Sequence, residues 1–235
     1  MSATDTTLPP ALPADPDAGP DSRPTGRPSI RVLVLDDHSA VRWGLVQLLE
    51  DQPDLDVAAV ATTAEAAVAQ AEYEAIDVAI VDYSLGGRNG LWVTRKLKAL
   101  AHRPRVVIFS AFANDHLAAS CTVADADALL SKSSLGEDIC YAIRSVSRGR
   151  KLLPRVPPDM TGLLRNRLDG DRERMIFAML LAGIEDERIV QTLGLDEREL
   201  FDRRTRMLAE LEPLPGEPGA ETGHTPLHYH RPLPR

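Results

Sequence analysis

Ile30-Arg31-Val32-Leu33-Val34-Leu35-Asp36-Asp37 decides the architecture. An apolar run of strand length stops at two carboxylates. Asp77-Val78-Ala79-Ile80-Val81-Asp82 repeats the pattern and again ends in Asp. Runs that are apolar at nearly every position suit strands buried on both faces, as in a parallel sheet covered by helices. Outward from these two, Leu55–Ala61, Arg105–Ser110 and residues 128–132 read as further strands. Helical periods fall between them: Val41, Leu45, Leu48 and Leu49, then an alanine-rich stretch over 63–74, then 91–100 and 115–122. Ile139, Ile143 and Val146 mark a last helix, entered through Ser134-x-x-Glu137, the pattern of a capping box. Five strand–helix units predict an α/β doubly wound, five-stranded parallel sheet.

Proline marks the edges of this block. Seven of the 18 prolines lie in residues 1–28, three at 154, 157 and 158, and six in 213–235. Proline removes a backbone donor and fixes φ, so it gathers where no ladder is built. Residues 1–28 therefore read as a disordered Pro-rich arm, 213–235 as a disordered tail and 152–159 as a linker. The stretch 160–212 carries no strand signal. Residues 172–181 form one expected helix, stopped near Gly183, and 185–192 a second with Ile189 and Val190 inward. Gly194 makes the turn, and Asp196 caps a third helix bearing Leu200, Met207, Leu208 and Leu211. Two helices joined by a short Gly turn predict a small all-α helix-turn-helix domain.

Composition narrows the function classes. With 43% apolar and 26% charged residues the chain has a globular balance, and no stretch approaches the apolar length of a membrane span. Cys121 and Cys140 are too few for a disulfide scaffold or a four-ligand zinc site, so they are expected as small buried hydrophobes in a cytoplasmic protein. A net charge of −8 argues against coating nucleic acid with bulk positive charge; any DNA contact is local.

Asp36, Asp37 and Asp82 fall at the C-terminal ends of strands one and three, and Ser110 and Lys132 end strands four and five on the same edge. Ligands bind at that edge of an open α/β sheet, where strand order reverses. Three carboxylates repel one another unless a cation neutralises them, and oxygen ligands suit Mg2+. A lysine and a hydroxyl there would stabilise an incoming phosphoryl group, and a carboxylate can itself accept it. Singly, such aspartates are ordinary turn formers and helix caps. All five positions on one edge in successive units point to chemistry. No further acid or base placed to cleave an external substrate is visible, which argues against a hydrolase.

Asp36-Asp37-His38, then Asp77–Asp82 with Gly90 eight residues on, then Ser110-Ala111, then Lys132, closely resemble a response-regulator receiver domain. The run from Asp36 to Leu45 resembles the NarL/FixJ subgroup. The resemblance implies a flavodoxin-like receiver over residues 29–151 and phosphorylation of Asp82 by a sensor histidine kinase. It implies Mg2+ on Asp36, Asp37, Asp82 and the backbone carbonyl of Ser84, with Ser110 as the switch hydroxyl and Lys132 as the phosphate partner. Gly86 stands where many receivers have proline. Leu129 stands at the position of the aromatic switch, so coupling to output must use other contacts.

Residues 168–211 resemble a LuxR-type helix-turn-helix, through Gly183, Arg188-Ile189-Val190, Leu193-Gly194-Leu195 and Asp196-Glu197-x-x-Leu200. The resemblance implies a homodimer reading DNA and controlling transcription. The third helix departs from the family: Phe201 stands where a lysine is usual, and Arg204 where a leucine packs inward. Arg204 falls in the stripe of Leu200, Met207 and Leu211, so it must snorkel or find an acidic partner. Residues 160–212 hold nine arginines, no lysine and twelve acidic residues, a net −3. DNA contact would rest on Arg198, Arg203 and Arg206. The competing reading is a phosphorylation-controlled adaptor whose helix-turn-helix docks a protein. His224, His228 and His230 read as a polar tail, Trp43 and Trp92 as packing anchors or partner contacts, and His38 as structural.

Overall fold

The computed structural model of the protein describes residues 29–212; the expectations for the arm, the tail and the three tail histidines lie outside the described residues. Five parallel strands form one sheet: β1 (Ile30–Leu35), β2 (Leu55–Ala61), β3 (Val78–Asp82), β4 (Arg105–Ser110) and β5 (Ala128–Ser131). Their order is β2-β1-β3-β4-β5. The chain steps from β1 to β2 on one side, then crosses β1 to lay β3 on the other. The C-terminal ends of β1 and β3 therefore lie side by side at the point of reversal. Every residue of β3 is buried.

The two faces carry separate apolar layers, which is the doubly wound arrangement. Val32, Val34, Ile80 and Phe109 pack under α1 (Ser39–Glu50) and α5 (Gly136–Ser147). Leu33, Leu35, Val81 and Ile108 pack under α2 (Ala64–Tyr73), α3 (Gly90–Lys98) and α4 (Asp115–Ala124). Side-chain caps open three of these helices: Thr63 accepts from the Ala66 N–H, Asn89 from Trp92 and Asn114 from Leu117. The expected capping box at Ser134 is absent. Helix α5 starts at Gly136 behind Leu135, with no side-chain cap, and the Ser134 N–H donates to Ser131 O in the preceding turn. The helix is pressed onto α1 there, since a Cβ at Gly136 would lie 2.7 Å from Leu48 Cδ1. Glu137 and Asp138 in the first turn complement the helix dipole instead.

Asp127 is a buried charge that sequence patterns did not single out. It accepts from the Val106 N–H at 2.8 Å, Lys98 Nζ at 2.6 Å and Arg105 Nη1 at 3.0 Å, tying the start of β5 to β4 and α3. Its donors are matched, as a buried carboxylate requires. The chain then runs beside β5, where Leu152 donates to Asp127 O.

Four helices follow: α6 (Pro158–Arg165), α7 (Asp171–Leu181), α8 (Asp186–Leu193) and α9 (Glu197–Glu210). Helix α6 opens inside the stretch read as linker, because proline at the first helical position has no N–H to lose. Gly194 closes α8 in the left-handed region, and Asp196 Oδ1 caps α9 from the Glu199 N–H. Leu164, Ile176, Phe177, Ile189, Leu200 and Met207 form the core of this unit, and Ala119 and Val123 of α4 belong to it as well. Cys121 and Cys140 are buried, as expected. Trp43 is no packing anchor: it is 68% exposed on α1, while Trp92 is half-buried beside Arg88 and Lys96. Among the described residues no helix is long and apolar enough to cross a membrane.

Among the described glycines, Gly90 is the one at which an added Cβ would run into backbone. A Cβ there would stand 2.5 Å from Asp82 O and 3.0 Å from Tyr83 Cα. Gly90→Ala is expected to lower unfolding stability by about 1–3 kcal/mol through overpacking. Urea denaturation checks it, and a midpoint equal to wild type would show that the loop yields freely.

Candidate functional site

The reversal of strand order brings the predicted residues together. Asp36 and Asp82 leave the adjacent ends of β1 and β3 and are 0% and 1% exposed; Ser110, at the end of β4, is also buried. Lys132 follows β5, held by its own N–H donating to Ser110 O. Its Nζ lies 2.8 Å from Asp36 Oδ2 and 2.8 Å from Asp82 Oδ2. One ammonium thus bridges two buried carboxylates. Burial, with repulsion from Asp36, raises the Asp82 carboxyl above its ordinary pKa against the opposing pull of Lys132. Burial alone would lower the Lys132 ammonium, but its contacts with the Asp36 and Asp82 carboxylates outweigh this and raise it.

Backbone donors orient the acids. The Ser84 N–H reaches Asp82 Oδ1 at 3.2 Å, the His38 N–H reaches Asp36 Oδ1 at 2.8 Å and the Gly86 N–H reaches Asp37 Oδ2 at 3.3 Å. Asp37 is exposed at the rim, where His38 Nδ1 stands 2.8 Å from its Oδ1. Ser110 Oγ accepts from the Phe112 N–H at 3.1 Å, which links the hydroxyl to the loop entering α4. Arg42, which sequence reasoning missed, donates to Asp36 O at 2.8 Å; its position one turn into α1 was the available signal.

Asp36, Asp37, His38 and Asp82 each offer a ligand atom within 4.8 Å of the others. Buried Asp36 Oδ2 has the Lys132 ammonium for charge but no donor in hydrogen-bonding geometry. Three carboxylates with an oxygen to spare fit a hard divalent cation such as Mg2+. The His38 nitrogen suits it poorly, and its contact with Asp37 accords with a structural role.

The helical unit presents a different picture. Arg198 and Arg206 are exposed on α9. Arg203 is engaged by Glu173 and Glu199. Arg204 is 2% exposed and found its acidic partner: Asp186 lies 2.6 Å from its Nη1. Phe201 lies under the Arg95 guanidinium, 3.7 Å from ring centroid to Cζ. Burial, then repulsion from Arg204, lowers the Arg95 pKa to about 9.

A family model described as the response regulator receiver domain matches residues 32–144. The DNA-binding transcriptional activator DevR/DosR of Mycobacterium tuberculosis is 30% identical over 77% of this chain and 88% of its own. The response regulator UvrY of Escherichia coli is also 30% identical, over 77% and 88%. Among solved structures, the signal receiver domain of a response regulator NarL from Mycobacterium tuberculosis superposes with a TM-score of 0.51 at 28% identity, covering 52% of this chain and 99% of that one. The response regulator RcsB in complex with DNA gives 0.51 at 16% identity over 78% and 92%, a likeness of fold.

Removing the ammonium exposes the repulsion between Asp36 and Asp82. Lys132→Ala is expected to cost about 2 kcal/mol of stability without divalent cations, discounting a fully buried pair for its partial exposure. Saturating Mg2+ should restore most of it, because the ion replaces the lost charge. Thermal melts with and without Mg2+ check this; equal losses in both conditions would contradict it.

Proposed function

The chain belongs to the response regulators of two-component systems, in their NarL/LuxR-type branch, and on that premise we propose that Asp82 accepts a phosphoryl group from a sensor histidine kinase. The observation that carries the proposal is the Lys132 ammonium 2.8 Å from both Asp36 and Asp82, in a cleft at the point of strand reversal. In the transfer, an Asp82 carboxylate oxygen forms a bond to phosphorus as the bond from phosphorus to the kinase histidine nitrogen breaks. Asp36, Asp37 and Asp82, with the Ser84 carbonyl, would hold Mg2+, which when bound neutralises the phosphoryl oxygens. Lys132 then pairs with the phosphoryl charge, and the Ser110 hydroxyl donates to a phosphoryl oxygen. In this scheme the chain itself accepts the phosphoryl group and acts as a switch, and we place it in the cytoplasm with its kinase's phosphorylated histidine.

We assign residues 29–151 to the receiver and, because α6 opens at Pro158 and not after residue 159, 152–157 to the linker and 158–212 to the output domain. The output is DNA binding that controls transcription, by a homodimer when phosphorylated. Relatives matched over 88% of their own length include a DNA-binding activator, and an adaptor is not favoured. Exposed Arg198 and Arg206 are the phosphate contacts; Arg203, bound by two glutamates, contributes less.

Two measurements test the proposal. A small phosphodonor with Mg2+ should add one hydroxylamine-sensitive phosphate to wild type and none to Asp82→Asn; full labelling of the variant would refute the assignment. For the output, Arg198→Ala and Arg206→Ala should each reduce the slope of log affinity against log salt by about one contact. Slopes equal to wild type would remove these arginines from the interface.

A further inference from the structure

His224, His228 and His230, half of the chain's 6 histidines, lie beyond Glu212, and the scheme above does not use them. Where that segment starts gives them a use. Glu212 ends the described residues beside the acidic cleft, where Asn89 Nδ2 donates to its Oε1 at 3.3 Å. Asn89 belongs to the loop that leaves Asp82, and its neighbour Gly90 presses on the Asp82 carbonyl. Burial, then Cys121, then the Glu212 carboxylate raise the Tyr83 hydroxyl, so Glu212 also stands close to the residue that follows Asp82. His224 comes 12 residues after Glu212, a length of chain that can span up to about 40 Å. All three histidines are therefore tethered within reach of the cleft.

The same loop also lines a groove of about 380 Å3. Asp37, Thr63, Glu65, Leu85 and Gly86 form its walls, and Asp37 is shared with the cluster of acids. Arg88, the cation of this wall, stands over the Trp92 ring, 5.0 Å from its centroid. Residues 222–235 carry Arg231, Arg235 and the three histidines, with neither Asp nor Glu. A basic, histidine-bearing segment thus begins beside an acidic cleft. Opposite charge draws it in, and the tether sets an effective concentration of the order of millimolar.

We propose that one of these three histidines takes the phosphoryl group from Asp82 of its own chain, which gives the protein a second phosphorylation site. The proposal rests on the phosphorylation reading above. A site that passes phosphorus from a kinase imidazole to a carboxylate also passes it back to an imidazole presented in the same way. In that step an imidazole nitrogen forms a bond to phosphorus as the bond from phosphorus to the Asp82 oxygen breaks. The carboxylate is released, and the proton on the ring's other nitrogen goes to water. Lys132 then regains its contacts with Asp36 and Asp82. Glu65 on the groove wall is the acid available to Arg231 while Asp37 holds the cation. His38 is a nearer imidazole, its Nδ1 2.8 Å from Asp37 Oδ1 and 3.9 Å from Asp82 Oδ2. It stands against the carboxylates, whereas displacement needs a nucleophile across the phosphorus, in line with the leaving oxygen.

The test uses the full chain, radiolabelled acetyl phosphate and Mg2+. The reaction is stopped in alkali, which destroys an acyl phosphate and spares phosphohistidine, and the chain is cleaved after arginine. Wild type should accumulate alkali-stable, acid-labile label in residues 207–235. Changing His224→Gln, His228→Gln and His230→Gln together should lose that label and prolong the phosphate on Asp82. An unchanged initial rate of Asp82 labelling shows that this variant is folded. Asp82→Asn should carry no label, alone or mixed with the triple variant, because the donor is the aspartate of the same chain. Label on Asp82 without alkali-stable label in the tail at any time overturns the relay and leaves the phosphorylation reading standing. Alkali-stable label on His38, or on the tail of Asp82→Asn, also overturns it. A wild-type chain that takes no label on Asp82 or on histidine removes the phosphorylation reading itself, and the relay with it.

Discussion

The site depends on one charge balance. Two carboxylates, both essentially without solvent, lie at the ends of neighbouring strands, and a single ammonium stands 2.8 Å from each. Parallel pairing of β1 with β3 forces the two acids together, and β5 beyond β4 brings the lysine. Asp37 at the rim adds a third carboxylate, so the ammonium alone leaves the site negative, and one divalent cation would balance it. A phosphoryl group adds negative charge where the lysine is already committed, so its arrival must redistribute the local contacts. The second adjustable group is Ser110, whose Oγ is bound to the loop that begins α4.

Helix α4 belongs to both halves of the molecule. Its inner face packs on the sheet through Leu117, Ala118 and Cys121, while Ala119 and Val123 complete the core of the helical unit. Its N-terminal loop touches the acidic cleft and its C-terminal carbonyls hold Arg204. A rigid element with one end at the charge switch and the other at the output helix is a physical basis for coupling. The exposed arginines of α9, Arg198 and Arg206, are not among the residues that make these contacts.

Much of this was legible in the sequence. Buried parallel strands are apolar at nearly every position, so their limits stand out, and β1, β2 and β4 match the expected spans. The acidic residues were readable because strand ends of an α/β sheet share one edge. What escaped depends on tertiary context. Ser134 had the local pattern of a cap, but contact between Gly136 and Leu48 set the helix start. Helix α6 was hidden because proline suits both a linker and a first helical turn. Asp127 looked like any loop acid; its partners Lys98 and Arg105 are 29 and 22 residues away. The helical period flagged Arg204 as misplaced, yet could not show that its partners sit on α4.

The central claim is that the acidic cleft controls α9 through α4. Backbone amide shifts of the full chain, recorded before and after beryllofluoride and Mg2+ are added, test it most directly. The account predicts that changes outside the cleft follow Phe112, then residues 122–125, then residues 201–205, with Arg95 among them. Changes confined to the cleft, or leading through α1 and α5 while α4 and α9 stay fixed, would contradict it.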